Sequence, residues 1–302
     1  MSAAITFSQY GDPGVLTLSP AEIPSPGPGQ VLIRVRAVAV NPIDVKIRSG
    51  HMDGIIPITL PMIPGWDVAG VVEAAGAGAG AAVGDEVFGV ASAGGYSDHA
   101  LLDRPVAKPD GLSTETAAAL VTVGEAAFRG LAHLDVRAGQ TLLIHGAAGS
   151  VGTIAVQLAV ARGIAVIGTA AEGDLEQVRA LGASAVRYGA GWADRVRAIA
   201  PGGVDAVFDT SGAGVLAESV ALAGDAARVI TIADEAAAEH GVRFTGADPS
   251  DRFPEALPAL AALAASGQLT VPVWRSYPLA DAGRAHADLE AGRNHGKIVL
   301  LP

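Results

Sequence analysis

The chain has 302 residues, of which 50% are hydrophobic and 17% charged, with a formal net charge of −11. That length and apolar content exclude a disordered chain and suit two packed domains, and the acidic balance argues against non-specific binding to nucleic acid or to an anionic membrane surface. The absence of cysteine excludes disulfides, thiolate zinc sites, iron–sulfur clusters and a cysteine nucleophile, and fits a cytoplasmic setting.

In chain order, residues 1–20 have no basic start and no long apolar run, so no leader is expected. No stretch approaches the roughly 18 apolar residues of a bilayer span. Residues 1–112 are rich in Pro and Gly, with short β runs at 31–39, 68–74, Glu86–Val90 and 97–102, which suggest an antiparallel or barrel-like sheet. The low-complexity stretch 76–82 reads as a flexible turn. A helix is expected from Ser113, an N-cap with Thr116 three residues on, to His133.

The apolar run Leu142-Leu143-Ile144-His145 meets the turn Gly146-Ala147-Ala148-Gly149-Ser150-Val151-Gly152, and a helix to about Arg162 follows. Expected strands at 164–169, 185–188, 204–209 and 228–233 then alternate with helices at 172–181, 192–200 and 215–224. Such alternation marks a doubly wound parallel sheet. Lys297–Leu301 is a terminal β run that would be better paired than free. The expected domains are therefore 1–112 with 272–302, and 113–271.

The strand–turn–helix at Gly146–Gly152 has the form that cradles a dinucleotide pyrophosphate. Gly149 lets the backbone approach phosphate, Gly152 lets the helix pack close to its strand, and the helix N-terminus offers unpaired N–H groups to the anion. Ala147 stands where the common G-x-G-x-x-G pattern has its first glycine. Ligands of such sheets lie beyond the carboxyl ends of the strands, which places Ala148, Gly149, Ser150, Val151, Gly152, Thr169, Ala171, Arg187, Tyr188, Ser211, Thr231 and Ile232 around the cofactor.

Seven stretches, in order, resemble the medium-chain dehydrogenase/reductase superfamily, specifically its zinc-free quinone oxidoreductase (zeta-crystallin-like) branch. They are Pro26-Gly27-Pro28-Gly29-Gln30-Val31; Asn41-Pro42-Ile43-Asp44 with Arg48-Ser49-Gly50; Pro64-Gly65-Trp66-Asp67-Val68-Ala69-Gly70; Gly84-Asp85-Glu86-Val87-Phe88-Gly89; Gly94-Gly95-Tyr96; the Gly146–Gly152 turn; and Gly296-Lys297-Ile298-Val299-Leu300. The resemblance implies an α/β fold: a Rossmann doubly wound sheet plus a GroES-like β-barrel catalytic domain, a cleft between them, and a homodimer. It implies NADPH, with NADH possible, and a quinone or α,β-unsaturated carbonyl as the small-molecule substrate. It places Asn41 and Asp44 near nicotinamide and substrate as catalytic residues, and adds Asn41, Thr122 and Lys297 to the cofactor set.

Zinc-dependent relatives carry Cys where this chain has Asn41 and His where it has Trp66, so no metal is expected. The seven histidines show no tight ligand spacing. His145 is expected to pack or hydrogen-bond beside the turn, and His286, with Asp281 and Asp288, to lie on a solvated helix face. Without a metal, charge developing on a carbonyl oxygen needs hydrogen-bond or proton donors. Asn41 can donate an amide; Asp44 can orient Lys46, Arg48 or a water, or simply cap a turn. His51, Tyr96 and solvent are the alternatives for the proton. The end of the second parallel strand carries Thr169 and no ribose-binding carboxylate. That leaves room for a 2′-phosphate, with Arg187 and Tyr188 offset against Glu172 and Asp174. Two further readings stay open: a stoichiometric NADPH-binding regulator, and an enoyl reductase acting on carrier-bound thioesters.

Overall fold

The computed structural model describes residues 2–246 and 248–302. The chain divides into two compact units, Met1–Thr122 with Leu257–Pro302, and Val123–Ala256. Composition placed the divisions at 112/113 and 271/272. A composition shift marks the start of a helix, whereas the first division falls inside one, the helix Thr114–Leu134.

In the first unit, β1 (Ser2–Thr6) and β2 (Thr17–Ala21) form an antiparallel pair. β3 (Val31–Val40) leads into α1 (Pro42–Arg48), and β4 (Asp67–Ala75), β5 (Glu86–Val90), β6 (His99–Leu102) and β7 (Val106–Ala107) follow. α2 is the helix Thr114–Leu134, whose start is capped as expected by the Ser113 hydroxyl, 3.1 Å from the Thr116 amide.

The second unit alternates strand and helix. β8 (Thr141–His145), α3 (Ser150–Ala161), β9 (Ala165–Ala170), α4 (Leu175–Ala180) and β10 (Ser184–Arg187) make its first half. α5 (Trp192–Ile199), β11 (Ala206–Asp209), α6 (Leu216–Ala223), β12 (Val229–Thr231) and β13 (Arg243–Phe244) make the rest. All six strands are parallel, in the order β10-β9-β8-β11-β12-β13. Order therefore reverses beside β8, where a doubly wound sheet opens a crevice for a ligand. The expected helix at 172–181 opens with a short 3-10 turn at Glu172–Asp174, because Gly173 makes a poor helical start. β12 ends at Thr231, where the hydroxyl accepts the Ala233 and Asp234 amides and turns the chain.

The chain then returns through α7 (Ala256–Ala265), β14 (Val273–Pro278), α8 (Ala282–Glu290) and β15 (Lys297–Leu301). β15 pairs antiparallel with β3 and parallel with β14, completing a seven-stranded sheet in the order β14-β15-β3-β4-β5-β7, with β6 also on β3. Its core gathers Ile33, Val35, Val68, Val87, Leu102, Ile298 and Leu300. Among the described residues no helix is long and apolar enough to cross a membrane.

Candidate functional site

In the second unit, β8 buries Leu142, Leu143 and Ile144 completely, and the chain then turns sharply. Gly146 has φ +71°, and its carbonyl accepts the Gly149 amide at 2.9 Å. The helix starts at Ser150, so the first amides of α3, those of Ser150, Val151 and Gly152, have no acceptor within the helix. A Cβ at Gly152 would stand 2.1 Å from the Gly146 oxygen, so this glycine sets how closely helix and turn pack. Ala147 is tolerated in place of glycine because Gly168 faces it; a Cβ there would lie 2.6 Å from the Ala147 Cβ. These features suit a bound pyrophosphate: backbone donors, a positive helix end, and Gly149 exposed at the apex.

The other expected residues follow the carboxyl ends of adjacent strands, but in two roles. Arg187, the last residue of β10, and Tyr188 after it are exposed, as are Ser211 and Glu172, and Ala148, Ala171 and Ile232 are half-buried. Thr169 is buried; its hydroxyl accepts the Gly146 amide at 3.3 Å and meets His145 Nδ1 at 3.2 Å. Thr169 thus holds the turn from behind. The His145 ring, expected to pack here, also reaches Ser219 and stands edge-on to Trp192. Burial lowers its pKa to about 4. Ser211 and Thr231 both donate to buried Asp209, at 2.7 and 2.8 Å, and the Ser211 and Gly212 amides donate there too. Asp209 is the hub that shapes these two loops, a role the sequence pattern did not reveal.

In the first unit, Asn41 ends β3 and begins α1. Its Nδ2 donates to Asp67 at 2.8 Å and its Oδ1 accepts from Lys297 Nζ at 2.6 Å, which fixes the amide's orientation. Lys297 also donates to the Val40 carbonyl. Asp67, fully buried, accepts the Thr122 hydroxyl at 2.6 Å and the Thr122 amide at 3.1 Å. Buried Asn41 and Lys297 and exposed Thr122, which the sequence could only name separately, therefore form one polar cluster around Asp67. One N–H of the Asn41 amide remains to donate elsewhere.

Asp44 accepts the Asn41 backbone N–H at 2.9 Å and the Tyr96 hydroxyl at 3.1 Å. It is a helix-capping carboxylate, and Arg48, which it was expected to orient, instead pairs with Glu290 and donates to the Gly11 carbonyl. Burial raises the Asp44 carboxyl to about 7, with nearby Asp67 adding to the effect and Lys297 opposing it. Tyr96 is enclosed, and burial followed by the Asp44 charge pushes its hydroxyl well above the ordinary phenol range. His51 is exposed on the turn after α1.

The expectation for His286 was wrong. It is fully buried, its Nε2 lies 3.0 Å from the Tyr96 hydroxyl, and burial lowers its pKa to about 3. α8 turns His286 inward with Ala282 and Ala285 and leaves Asp281 and Asp288 to the arginines, so helix-face composition misassigned a residue that faces the core. Among the described residues no group of three or more His, Cys, Asp or Glu could hold a metal ion.

Residues 27–119 match the model of the alcohol dehydrogenase GroES-like domain, and residues 181–300 that of the zinc-binding dehydrogenases. Human quinone oxidoreductase is 34% identical over 99% of this chain and 97% of its own length. Tomato 2-methylene-furan-3-one reductase is 32% identical over 99% of this chain and 79% of its own. The structure of mycobacterial Rv1454c complexed with NADPH superposes with a TM-score of 0.84 at 32% identity, covering 99% of this chain and all of the other. With a Rossmann-type sheet, a GroES-like unit and near end-to-end identity above 30%, the chain belongs to the quinone oxidoreductases of the medium-chain dehydrogenase/reductase superfamily.

Proposed function

We propose that this protein is an NADPH-dependent reductase that passes hydride to a quinone or an α,β-unsaturated carbonyl without bound zinc. One observation carries the cofactor choice. β9 ends in Thr169 and Ala170, both buried, with no carboxylate to claim a ribose 2′-hydroxyl, while Arg187 and Tyr188 stand exposed at the end of neighbouring β10. The names of its relatives, a quinone oxidoreductase and an enone-type reductase, support the substrate class.

The bound nicotinamide supplies the hydride. The turn 146–152 holds the pyrophosphate on backbone amides, and Arg187 and Tyr188 receive the 2′-phosphate. Asn41, clamped between Asp67 and Lys297, offers its remaining N–H to carboxamide or substrate oxygen, and Asp44 fixes the backbone at Asn41 by accepting its main-chain N–H. Asn41 and Trp66 at the positions where zinc relatives carry Cys and His leave no first-choice ligand pair. We assign the protein to the cytoplasm as a homodimer.

The test uses the full chain after prolonged chelation, with elemental analysis. NADPH and NADH oxidation is followed against a quinone, a small enone and an enoyl thioester, alongside calorimetric binding to wild type and Gly149→Val. The expected result is turnover of quinone or enone, undiminished by chelation, and a folded Gly149→Val protein that binds neither cofactor. One tightly held zinc per chain with activity lost on its removal would overturn the metal-free reading. Binding without turnover would make the protein a stoichiometric NADPH binder, and a strong thioester preference would make it a carrier-linked enoyl reductase.

A further inference from the structure

One side chain in the second unit makes more hydrogen bonds to backbone oxygens than any fold-level need explains. Arg195, on the first turn of α5, donates through Nε and Nη2 to the Arg187 carbonyl at 3.0 and 2.8 Å. Nη2 also reaches the carbonyls of Tyr188 and Gly189 at 3.4 and 3.1 Å, and Nη1 that of Ala190 at 3.1 Å. Four successive carbonyls thus curl around one guanidinium. The loop can take this path only because Gly189 and Gly191 adopt φ of +84° and +74°. The adjoining charges do not compete: Asp194 pairs with Arg197 at 2.8 Å.

The chain segment held in this way is the one that carries Arg187 and Tyr188. Both side chains are exposed: Arg187 ends β10, and Tyr188 opens the loop to α5, residues 188–191, which has no packed side chain of its own. A planar fork with five N–H donors can bridge several oxygens at fixed angles, which an ammonium cannot. Left alone, four like-oriented carbonyls would prefer water, and the loop would sample other paths.

We propose that Arg195 is a specificity-positioning residue: by clamping the carbonyls of residues 187–190 it holds Arg187 and Tyr188 in place for a ligand carrying an adenosine 2′-phosphate. It acts through the loop and does not touch the ligand. The inference rests on the cofactor site proposed above. NADH has no atom where the 2′-phosphate stands, so loosening the loop weakens NADPH and spares NADH. The loss comes from pre-organisation, since an unheld loop must be ordered on binding.

The experiment is calorimetric binding of NADPH, NADH and the half-cofactor probe 2′,5′-ADP to the full chain, with no turnover required. Arg195→Ala should bind NADPH and 2′,5′-ADP about tenfold more weakly and NADH within about twofold of wild type. Arg195→Lys, which keeps the charge but cannot bridge the carbonyls, should resemble Arg195→Ala. In an Arg187→Gln background, Arg195→Ala should cost less than it does in wild type, because Tyr188 is then the one phosphate partner left for the clamp to hold. Equal losses for NADPH and NADH, full rescue by lysine, or additive effects in the double variant would each overturn the clamp. Should Arg195→Ala not fold, Arg195→Lys and its Arg187→Gln double variant carry the same test. A wild type that binds neither dinucleotide would refute the cofactor site itself, and the clamp with it. A wild type selective for NADPH whose selectivity survives Arg195→Ala would refute the clamp alone.

Discussion

Asp44 sits where its charge is unfavourable. Its Oδ2 takes two hydrogen bonds while its Oδ1, also buried, has no partner. The Tyr96 hydroxyl has one proton to give, and Asp44 receives it. His286 then donates from Nε2 to the phenol oxygen, which leaves Nδ1 a bare acceptor, and that atom is the one found without a partner. The folded pKa of Asp44, about 7, exceeds the roughly 3.9 of an unfolded aspartate. Between those values the folded protein keeps a proton that the unfolded chain has released. The stability this supplies is complete below about pH 4 and is lost as pH rises through 7. Asp44→Asn keeps the acceptor and removes the titration. Against wild type, its advantage in urea unfolding should widen from pH 5 to pH 8, towards an order of 2–4 kcal/mol. An advantage that does not change with pH would remove Asp44 as the titrating group. The sequence named Asn41, Asp44, Thr122 and Lys297 but not Asp67 as the acceptor shared by Asn41 and Thr122, nor the pairing of Tyr96 with His286. Those two lie 190 positions apart, beyond the reach of any local pattern.

At the level of elements, the glycine pair of the phosphate turn separates binding from packing. A Cβ at Gly149 would meet only the Gly146 oxygen, at 3.2 Å, and its φ of −71° suits any residue. At Gly152 the same addition would overlap both the Gly146 oxygen and the Ala147 Cα. Alanine is the better helix former by about 1 kcal/mol, yet Gly152→Ala should lower stability by about 1–3 kcal/mol through overpacking, while Gly149→Ala should melt near wild type. Thermal unfolding of the two variants decides it, and equal melting would show that the helix has room to move away. The elements legible in advance were those with strong punctuation: the apolar strands β8 to β12 between glycine turns, and α2 behind its serine cap. β1, α1, α7 and β14 carried no such mark. β1 is mostly small residues and α1 has only seven; α7 is apolar on every side with a proline inside it, and β14 is a half-exposed edge strand.

Across the whole molecule, burial keeps two deeply enclosed imidazoles neutral, His145 in the second unit and His286 in the first. Their folded pKa values, about 4 and about 3, lie below the ordinary 6.5. Below pH 6.5 the unfolded chain takes up protons that the folded one refuses, so this contribution is intact above 6.5 and is lost as pH falls towards the folded values. At pH 5 each costs about 2 kcal/mol relative to pH 7.5. His145→Gln and His286→Gln should each make stability less sensitive to acid by about that amount, read as the change in urea midpoint between the two pH values. Parallel losses in variants and wild type would assign acid sensitivity to other groups. The two-unit architecture was foreseeable from alternating patterns and family motifs; its seam was not, because a helix runs through it. That seam bears on how the chain is made. The Lys297 ammonium reaches the Val40 carbonyl across 257 positions of sequence, and β15 fills the place beside β3. On the ribosome, the entire second unit has therefore emerged while Asn41 still waits for its lysine. Until residue 297 has been made, the polar cluster beside Asn41 lacks its cation, and its assembly waits on chain that follows the whole second unit.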